Sequence, residues 1–444
     1  MLLLCCLFFF LITSDSHGAV RYHPSLKWWT IETEHFYIHY YEGEDALAKI
    51  AAVYAEDVYV RLTESLNWIP TMKTHVVITG TTDFANGMAT PFPYNLIILY
   101  ALPPELDSAI GYYNNWLYLL IAHEYTHILQ LEQARGLAKL NRYIFGRTPF
   151  TILPPFTTFP NALMPNWLIE GIATFEESKL TGTGRVNSTL MNNIIGEAVA
   201  ENRFPESGMG NGDVITWPWH GFPYFYGGEF YKFLSEYYGD NAIASFHNQY
   251  SGQVLPLFLN TASYRAFGGS FNELWLRWKT EERKKYKDSQ GKNKGAVTRL
   301  TKSGYFTRGP KISPSGRYIL YNTNNPFEYP SVRIYDTAEN NEKMLFKRNY
   351  GIDFAWSPDS GGFYFTQAEI NRNFFTYNDL YFHSLINNRT ERITHGVRIT
   401  EFAISPDNES GVGVVFADGA RRLARINLKD GRVEFLTDNG WEDG

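Results

Sequence analysis

Two apolar periodicities alternate along the chain as far as about residue 287. Residues 45–66 and 115–134 carry apolar side chains at helical spacing, and Gly136 is the predicted stop of the second helix. The same spacing returns in three later segments, residues 167–178, 229–238 and 271–286. Short apolar runs predict strands at residues 36–40, 75–79 and 95–100. This mixture indicates an α+β fold.

Two segments of different composition interrupt this pattern. Residues 147–165 are rich in Pro and Phe, which predicts a long irregular loop. Residues 283–295 (RKKYKDSQGKNKG) are polar, charged and glycine-containing, as interdomain linkers are.

Beyond the linker, short apolar runs separated by turn residues repeat with a period near 45 residues. The segments ISPSG at 312–316, WSPDS at 356–360 and ISPDN at 404–408 have prolines 44 and then 48 residues apart. Each is followed by a strand-like run, and four strands in such a period are typical of one propeller blade. The units resemble the WD40-like repeats of the Tol-B type. About three blades do not close a ring, so we expect further blades downstream of Gly444.

Length and composition agree with a folded protein of two domains. Of the 444 residues, 44% are hydrophobic and 16% are aromatic, which supplies ample apolar surface for two cores. The net charge of -6 argues against a nucleic-acid partner.

The chain begins with an apolar stretch of the length found in signal peptides. Residues 1–18 are interpreted as a signal peptide, with an uncleaved anchor as the alternative. Cys5 and Cys6 are the two cysteines of the sequence and both lie in this segment. A cleaved chain would contain no cysteine, which excludes disulfides and a thiolate-bound metal.

The motif His123-Glu-Tyr-Thr-His127 lies in the predicted helix at 115–134. Residues four apart share one helix face, so both imidazoles can reach one ion while Glu124 projects beside them. Neutral imidazoles bind Zn²⁺, and a carboxylate next to the metal can accept a proton from bound water. Two core histidines are the alternative interpretation.

A catalytic zinc site needs a third protein ligand, for which Glu170 is the candidate. Glu170 lies in Trp-Leu-Ile-Glu-Gly-Ile-Ala-Thr-Phe-Glu-Glu177, and this pattern downstream of H-E-x-x-H resembles gluzincins of the peptidase MA-like group. In that group the glutamate before the glycine is the third zinc ligand, which implies this role for Glu170. Glu177 is predicted either to support a ligand or to form a surface salt bridge.

Two features depart from the aminopeptidase members of the group. His127 and Glu170 are separated by 42 residues, and the segment 86–90 (NGMAT) has no glutamate after the methionine to bind a free amine. Both features argue against aminopeptidase activity.

A later segment, YFYGGEF at 224–230, resembles the group's Y-x-x-G-x-x-F element. The resemblance implies that a tyrosine hydroxyl stabilises the oxyanion formed when water attacks the carbonyl. Tyr224 fits the spacing best, and Tyr226 and His220 are its competitors.

Together these observations predict a gluzincin-like α+β metallopeptidase domain followed by an incomplete all-β propeller. The expected function is zinc-dependent hydrolysis of a peptide or protein in the bacterial cell envelope, by a secreted or periplasmic protein. A scaffold protein that binds a partner through the propeller is the alternative, and a zinc hydrolase acting on other substrates and membrane association both stay open. The predicted bounds are 1–18 for the signal peptide, 19–287 for the peptidase domain, 288–296 for the linker and 297–444 for the propeller segment.

Overall fold

A computed structural model describes residues 22–104, 108, 110–147, 154–211, 215–287, 298–301, 304–348, 351 and 353–437. The predicted signal peptide and the predicted linker at 288–296 lie outside these residues. Within the described part of the chain, all helices precede residue 288, and the later residues form strands and turns.

A five-stranded mixed sheet comes first. Its strands are β1 (Trp28–Glu32), β2 (Phe36–Tyr41), β3 (Thr74–Thr79), β4 (Gly87–Thr90) and β5 (Leu96–Tyr100). Their order is β1-β2-β3-β5-β4, in which β2, β3 and β5 are parallel and both outer strands pair antiparallel. The parallel pair β2 and β3 requires a crossover, which is supplied by helix α1 (Asp45–Leu66).

Eight further α-helices follow the sheet in the described part of the chain. They are α2 (Trp116–Glu132), α3 (Gly136–Phe145), α4 (Asn166–Thr181), α5 (Thr189–Ala200), α6 (Phe222–Tyr238), α7 (Asp240–Tyr250), α8 (Leu259–Phe267) and α9 (Phe271–Lys287). Helix α2 contacts α1, α4 and β4, so most of its residues are buried. The Asn115 side chain caps its first turn by accepting a hydrogen bond from the backbone N–H of Tyr118 at 3.1 Å.

The predicted strands and most of the predicted helices are present, with two corrections. Gly136 does not end the helix before it; it begins α3, with a φ of +52°. The helix predicted from residue 229 begins earlier, at Phe222, and contains Gly227 and Gly228. Two glycines lower helix propensity, and tertiary packing overrides that preference here.

Three consecutive four-stranded antiparallel sheets make up the C-terminal part, at the places where the sequence repeats. The strands of the first sheet are β6 (Phe306–Ile312), β7 (Tyr318–Asn325), β8 (Glu328–Asp336) and β9 (Asn341–Lys347). Those of the second are β10 (Phe354–Trp356), β11 (Gly362–Asn371), β12 (Phe375–Ser384) and β13 (Arg389–Arg392). Those of the third are β14 (Ile399–Ile404), β15 (Ser410–Ala417), β16 (Ala420–Asn427) and β17 (Val433–Phe435).

The repeated Ser-Pro segment closes the turn between the first two strands of each sheet. In the second sheet the Ser357 hydroxyl donates to Asp359 at 2.6 Å and accepts from the Gly362 N–H at 3.0 Å. Ser405 makes the same kind of bond with Asp407 in the third sheet. The repeat in the sequence is therefore a repeat of turn chemistry.

The sheet region contacts the helical region through a buried ion pair next to a short bridge. Arg398 lies 2.7 Å from Asp83, whose other carboxylate oxygen accepts the Asn378 N–H at 2.8 Å. Thr82 and Thr376 form an isolated parallel bridge beside this pair.

Candidate metal centre

Helix α2 presents two imidazoles on one buried face. The Nε2 atoms of His123 and His127 are 3.2 Å apart, and their ring planes are nearly perpendicular. The separation follows from the four-residue spacing of the motif, which places both side chains over one turn of the helix.

Glu170 reaches the same point from α4. Its Oε2 atom lies 3.5 Å from His123 Nε2 and 3.3 Å from His127 Nε2. These three residues form the one group of metal-ligating side chains found in the described part of the chain, with all ligand atoms within 4.8 Å of one another.

The spacing of the three atoms fits a zinc ion. With ligand bonds of about 2.0–2.1 Å and tetrahedral angles, neighbouring ligand atoms would be roughly 3.3–3.4 Å apart. The observed separations of 3.2, 3.3 and 3.5 Å bracket that value. Two imidazoles and one carboxylate are also a donor set that catalytic zinc accepts.

Close contact between α4 and α6 holds Glu170 in this position. A Cβ added to Gly171 would lie 2.6 Å from the carbonyl carbon of Gly227. A Cβ added to Gly227 would collide with the Trp167 carbonyl oxygen. Glycine is therefore required on both helices for this crossing, and the glycine after Glu170 in the motif has a packing role.

Glu177 lies two turns after Glu170 on the same face of α4 and contacts the first imidazole on the side away from the cluster. The Nδ1–H of His123 donates to Glu177 Oε2 at 2.7 Å, which leaves Nε2 free to face the ligand cluster. Of the two predicted roles for Glu177, the structure shows this one and not a surface salt bridge.

Arg185 pairs with Glu177 and fixes its charge. Its Nε and Nη2 atoms donate to the two carboxylate oxygens at 2.9 and 2.7 Å. Burial by itself would raise the pKa of Glu177, but the charge and hydrogen bonds of Arg185 lower it to about 2. Glu177 is thus a permanent anion behind His123.

Glu124 is buried beside the cluster and packs against the edge strand β4. A Cβ added to Gly87 would lie 2.5 Å from Glu124 Oε1 and 2.8 Å from its Cδ and Cγ. Because all three distances involve the glutamate side chain, any larger residue at position 87 would displace it. Burial raises the pKa of Glu124, against the lowering influence of His123 and His127.

Tyr224 is the tyrosine that the structure places at the cluster. Its ring stacks on the His123 ring at 6.4 Å and lies under the Arg185 guanidinium at 4.6 Å. Burial and the nearby Glu170 carboxylate raise the pKa of Tyr224, so its hydroxyl stays protonated and can donate.

The two competitors of Tyr224 lie elsewhere. Tyr226 is fully enclosed in the aromatic core, with Phe204, Phe222 and Trp275 around its ring. His220 is exposed and packs on Trp219. Neither residue lines the cavity at the ligand cluster.

An open cavity of 410 Å³ lies over the ligand cluster. A second cavity of 470 Å³ shares four lining residues with it and extends to β6, β7 and β8. The shared residues are Asn86, Ile110, Arg185 and Tyr224.

Sequence reasoning missed three residues of this site. Arg185 carries no motif and comes near His123 only through the fold. Gly87 and Gly227 were part of segments singled out in the sequence, but their close contacts with Glu124 and Trp167 depend on neighbouring elements.

No family model matches the sequence. An uncharacterized protein of Treponema pallidum (strain Nichols) is 28% identical over 217 residues, which are 48% of this chain and 18% of that protein. Among solved structures, TolB from Acinetobacter baumannii is similar to 31% of this chain and 34% of its own, with 23% identity and a TM-score of 0.27.

A putative TolB from Agrobacterium tumefaciens matches with 22% identity and a TM-score of 0.27, over 31% of this chain and 49% of its own. An oligogalacturonate lyase from Vibrio parahaemolyticus matches with 13% identity and a TM-score of 0.26, over 32% and 43%. The chain thus spans less than half the length of each of these relatives. At these TM-scores the likeness carries no argument about the fold of the C-terminal sheets.

Proposed function

We propose that this protein is a zinc-dependent peptidase that cleaves a polypeptide in the cleft over His123, His127 and Glu170. The convergence of these three side chains at zinc-ligand spacing, with Glu124 beside them, is the observation that carries the proposal. A purely structural zinc site would have no use for a buried carboxylate next to the ligands.

The residues at the ligand cluster have distinct roles in the proposed reaction. Zinc bound by His123, His127 and Glu170 would lower the pKa of a bound water to about 7 and polarise the substrate carbonyl. Glu124 accepts the proton of the attacking water and passes it to the leaving amine. Gly87 leaves the space that this carboxylate occupies.

Tyr224 donates a hydrogen bond to the oxygen of the carbonyl under attack. Its position between the His123 ring and the Arg185 guanidinium holds the hydroxyl near the cleft. Glu177 keeps the Nδ1 proton of His123 in place, so that Nε2 faces the ligand cluster throughout the reaction.

We further propose that the three sheets are blades of a propeller and that the first blade borders the substrate groove. The second cavity runs from Tyr224 to Asn324 and Ser331 on that sheet. An extended chain advances about 3.3 Å per residue. A polypeptide of several residues that crosses the ligand cluster can therefore continue into the second cavity. A cell-envelope location, secreted or periplasmic, follows from the predicted signal peptide.

Metal analysis and peptide cleavage test this proposal together. We expect wild-type protein to hold about one zinc per chain and to cleave members of a fluorogenic peptide library. Glu124→Gln should keep zinc and lose roughly 10²-fold to 10⁴-fold in kcat. Glu170→Ala should lose zinc as well as activity.

The exposed Glu34 supplies the matched control, since Glu34→Gln removes a carboxylate that belongs neither to the cluster nor to the lining of its cavity. It should leave zinc content and cleavage unchanged. Well-folded wild-type protein that takes up no zinc, or cleavage that persists in Glu124→Gln, would contradict the proposed function.

A further inference from the structure

A group of large apolar side chains stands exposed on the helical region, away from the cleft. Helix α3 exposes apolar residues along its length, with Tyr143 88% and Ile144 58% exposed. The segment 252–258 does the same, with Val254 72% and Leu257 67% exposed. We call these two segments the apolar platform; its exposed members are Leu137, Leu140, Tyr143, Ile144, Phe145, Val254, Leu255, Leu257 and Phe258.

The two segments of the platform are neighbours in space although they are far apart in sequence. The Arg135 N–H donates to the Ser251 carbonyl at 3.1 Å, directly before α3. A Cβ added to Gly136 would lie 3.1 Å from the Gly252 carbonyl oxygen. The two exposed apolar segments therefore begin side by side, and large exposed apolar patches mark contact sites for proteins or membranes.

The charge of both segments differs from that of the whole protein. The chain has a net charge of -6, yet no Asp or Glu occurs between Glu132 and Glu170, where Arg135, Lys139, Arg142 and Arg147 are found. Likewise, no acidic residue occurs between Asp240 and Glu273. Arg135 and Lys139 are exposed beside the apolar side chains of α3, whereas Arg142 and Arg147 pair with Glu132. Both stretches lack acidic residues.

Helix α3 has the composition of an interfacial helix. Over its ten residues, Leu137, Leu140 and Ile144 lie at positions i, i+3 and i+7, and Lys139 lies beside them. Such a helix lies in the plane of a bilayer surface with its apolar face among the acyl chains and its basic groups at anionic headgroups. No helix of the described residues has the length and apolar content to cross a bilayer.

We propose that the apolar platform docks the protein on the surface of an anionic lipid bilayer. Aromatic and aliphatic side chains of α3 and of residues 252–258 enter the interface, and Arg135 and Lys139 contact lipid phosphates. The platform begins four residues after Glu132, the last residue of the helix that carries His123 and His127. This inference does not depend on peptidase activity.

Site-specific fluorescence tests the docking in the full chain. Cys5 and Cys6 are the two cysteines of the sequence, so replacing both with Ser allows one label at a time. A bimane dye is attached in this background at Ile144→Cys, at Leu257→Cys or, as a control, at Ile386→Cys. Ile386 is 85% exposed on the hairpin between β12 and β13, far along the chain from the platform.

Vesicles of phosphatidylcholine and phosphatidylglycerol containing brominated lipid are then added. We expect the dye at 144 and at 257 to shift to the blue and to lose about half of its emission or more, because interfacial residues are buried about 5–10 Å into the bilayer. The dye at 386 should not change. Leu140→Glu should raise the lipid concentration needed for half-maximal quenching at 144 by roughly tenfold, without changing the thermal midpoint.

Several outcomes would overturn the proposal. Absence of quenching at 144 and 257, or equal quenching at 386, would mean that the platform does not meet the bilayer. A blue shift that needs no vesicles and grows with protein concentration would assign the surface to contacts between copies of this chain. None of these results bears on zinc binding or on peptide cleavage.

Discussion

The helical region and the sheet region differ in how their interiors are built. The helical region has one continuous core, in which Trp167, Phe230 and Trp275 pack among residues from nearly every element. The sheet region has two smaller cores, each between consecutive sheets. Both regions enclose buried charges, such as Glu177 in the first and Asp379 in the second, but each sheet packs mainly on the sheets next to it in sequence.

This difference predicts that a change in packing has different consequences in the two regions. In the helical region we expect a change at the crossing of α4 and α6 to move Glu170, because the packing that stabilises the crossing also positions this ligand. In the sheet region a change stays local to one sheet or its neighbour. The buried pair of Asp83 and Arg398 is one of several contacts between the two regions.

The largest expected effect comes from breaking that contact. Asp83→Ala leaves the Arg398 guanidinium buried without its carboxylate and should lower the free energy of unfolding by about 3–5 kcal/mol. Urea unfolding followed by circular dichroism measures it. Asp418→Ala removes an exposed partner of Arg422 and should cost less than about 0.5 kcal/mol. If both changes lower the free energy of unfolding equally, the buried pair of Asp83 and Arg398 contributes no more stability than an exposed pair.

Gly227→Ala changes packing in the helical region only. The added methyl group meets the Trp167 carbonyl, so we expect a loss of about 1–3 kcal/mol together with lower zinc occupancy, since the crossing positions Glu170. Gly208→Ala is the control, because a Cβ there meets nothing within 4 Å. Thermal unfolding and elemental analysis give the two readouts. Normal zinc content together with reduced stability would show that the crossing of α4 and α6 does not determine the position of Glu170.

Glu177→Gln sharpens the comparison by removing one buried charge without changing shape. Zinc affinity should fall by about 10-fold to 100-fold, because the amide holds the His123 proton less strongly and leaves Arg185 without its anion. Competition with a zinc chelator measures the change. The adjacent Glu176 is also buried but bonds to Ser65 and Lys179, so Glu176→Gln should leave zinc affinity unchanged.

The smallest effect tests whether the sheet region takes part in the proposed cleavage. Asn324 is exposed on β7 and lines the second cavity. Asn324→Trp should lower kcat/KM for long peptides by about tenfold, as a bulky side chain removes binding contacts, and leave short peptides unaffected. Asn324→Ala is the control. An equal loss on short peptides would place the effect at the cleft itself.

Much of the local structure was predictable. The helix at 45–66 and the strands at 75–79 and 95–100 follow from apolar period, and the three sheets follow from the Ser-Pro repeat. Helices α3, α5, α7 and α8 were not predicted. In α3 the apolar residues do repeat at helical spacing, but the helix has only ten residues and begins at Gly136, a residue type that is typical of a helix end.

The sequence by itself determined the spacing of His123, Glu124 and His127 on one helix turn, because a helix repeats every 3.6 residues. It also determined the succession of strands in the C-terminal part. Tertiary structure decided which glutamate meets the imidazoles, how Arg185 fixes Glu177, and which tyrosine faces the cleft. These are contacts between distant segments, such as the crossing of α4 and α6 at their glycines. They depend on the packing of many side chains together, which no short stretch of sequence specifies.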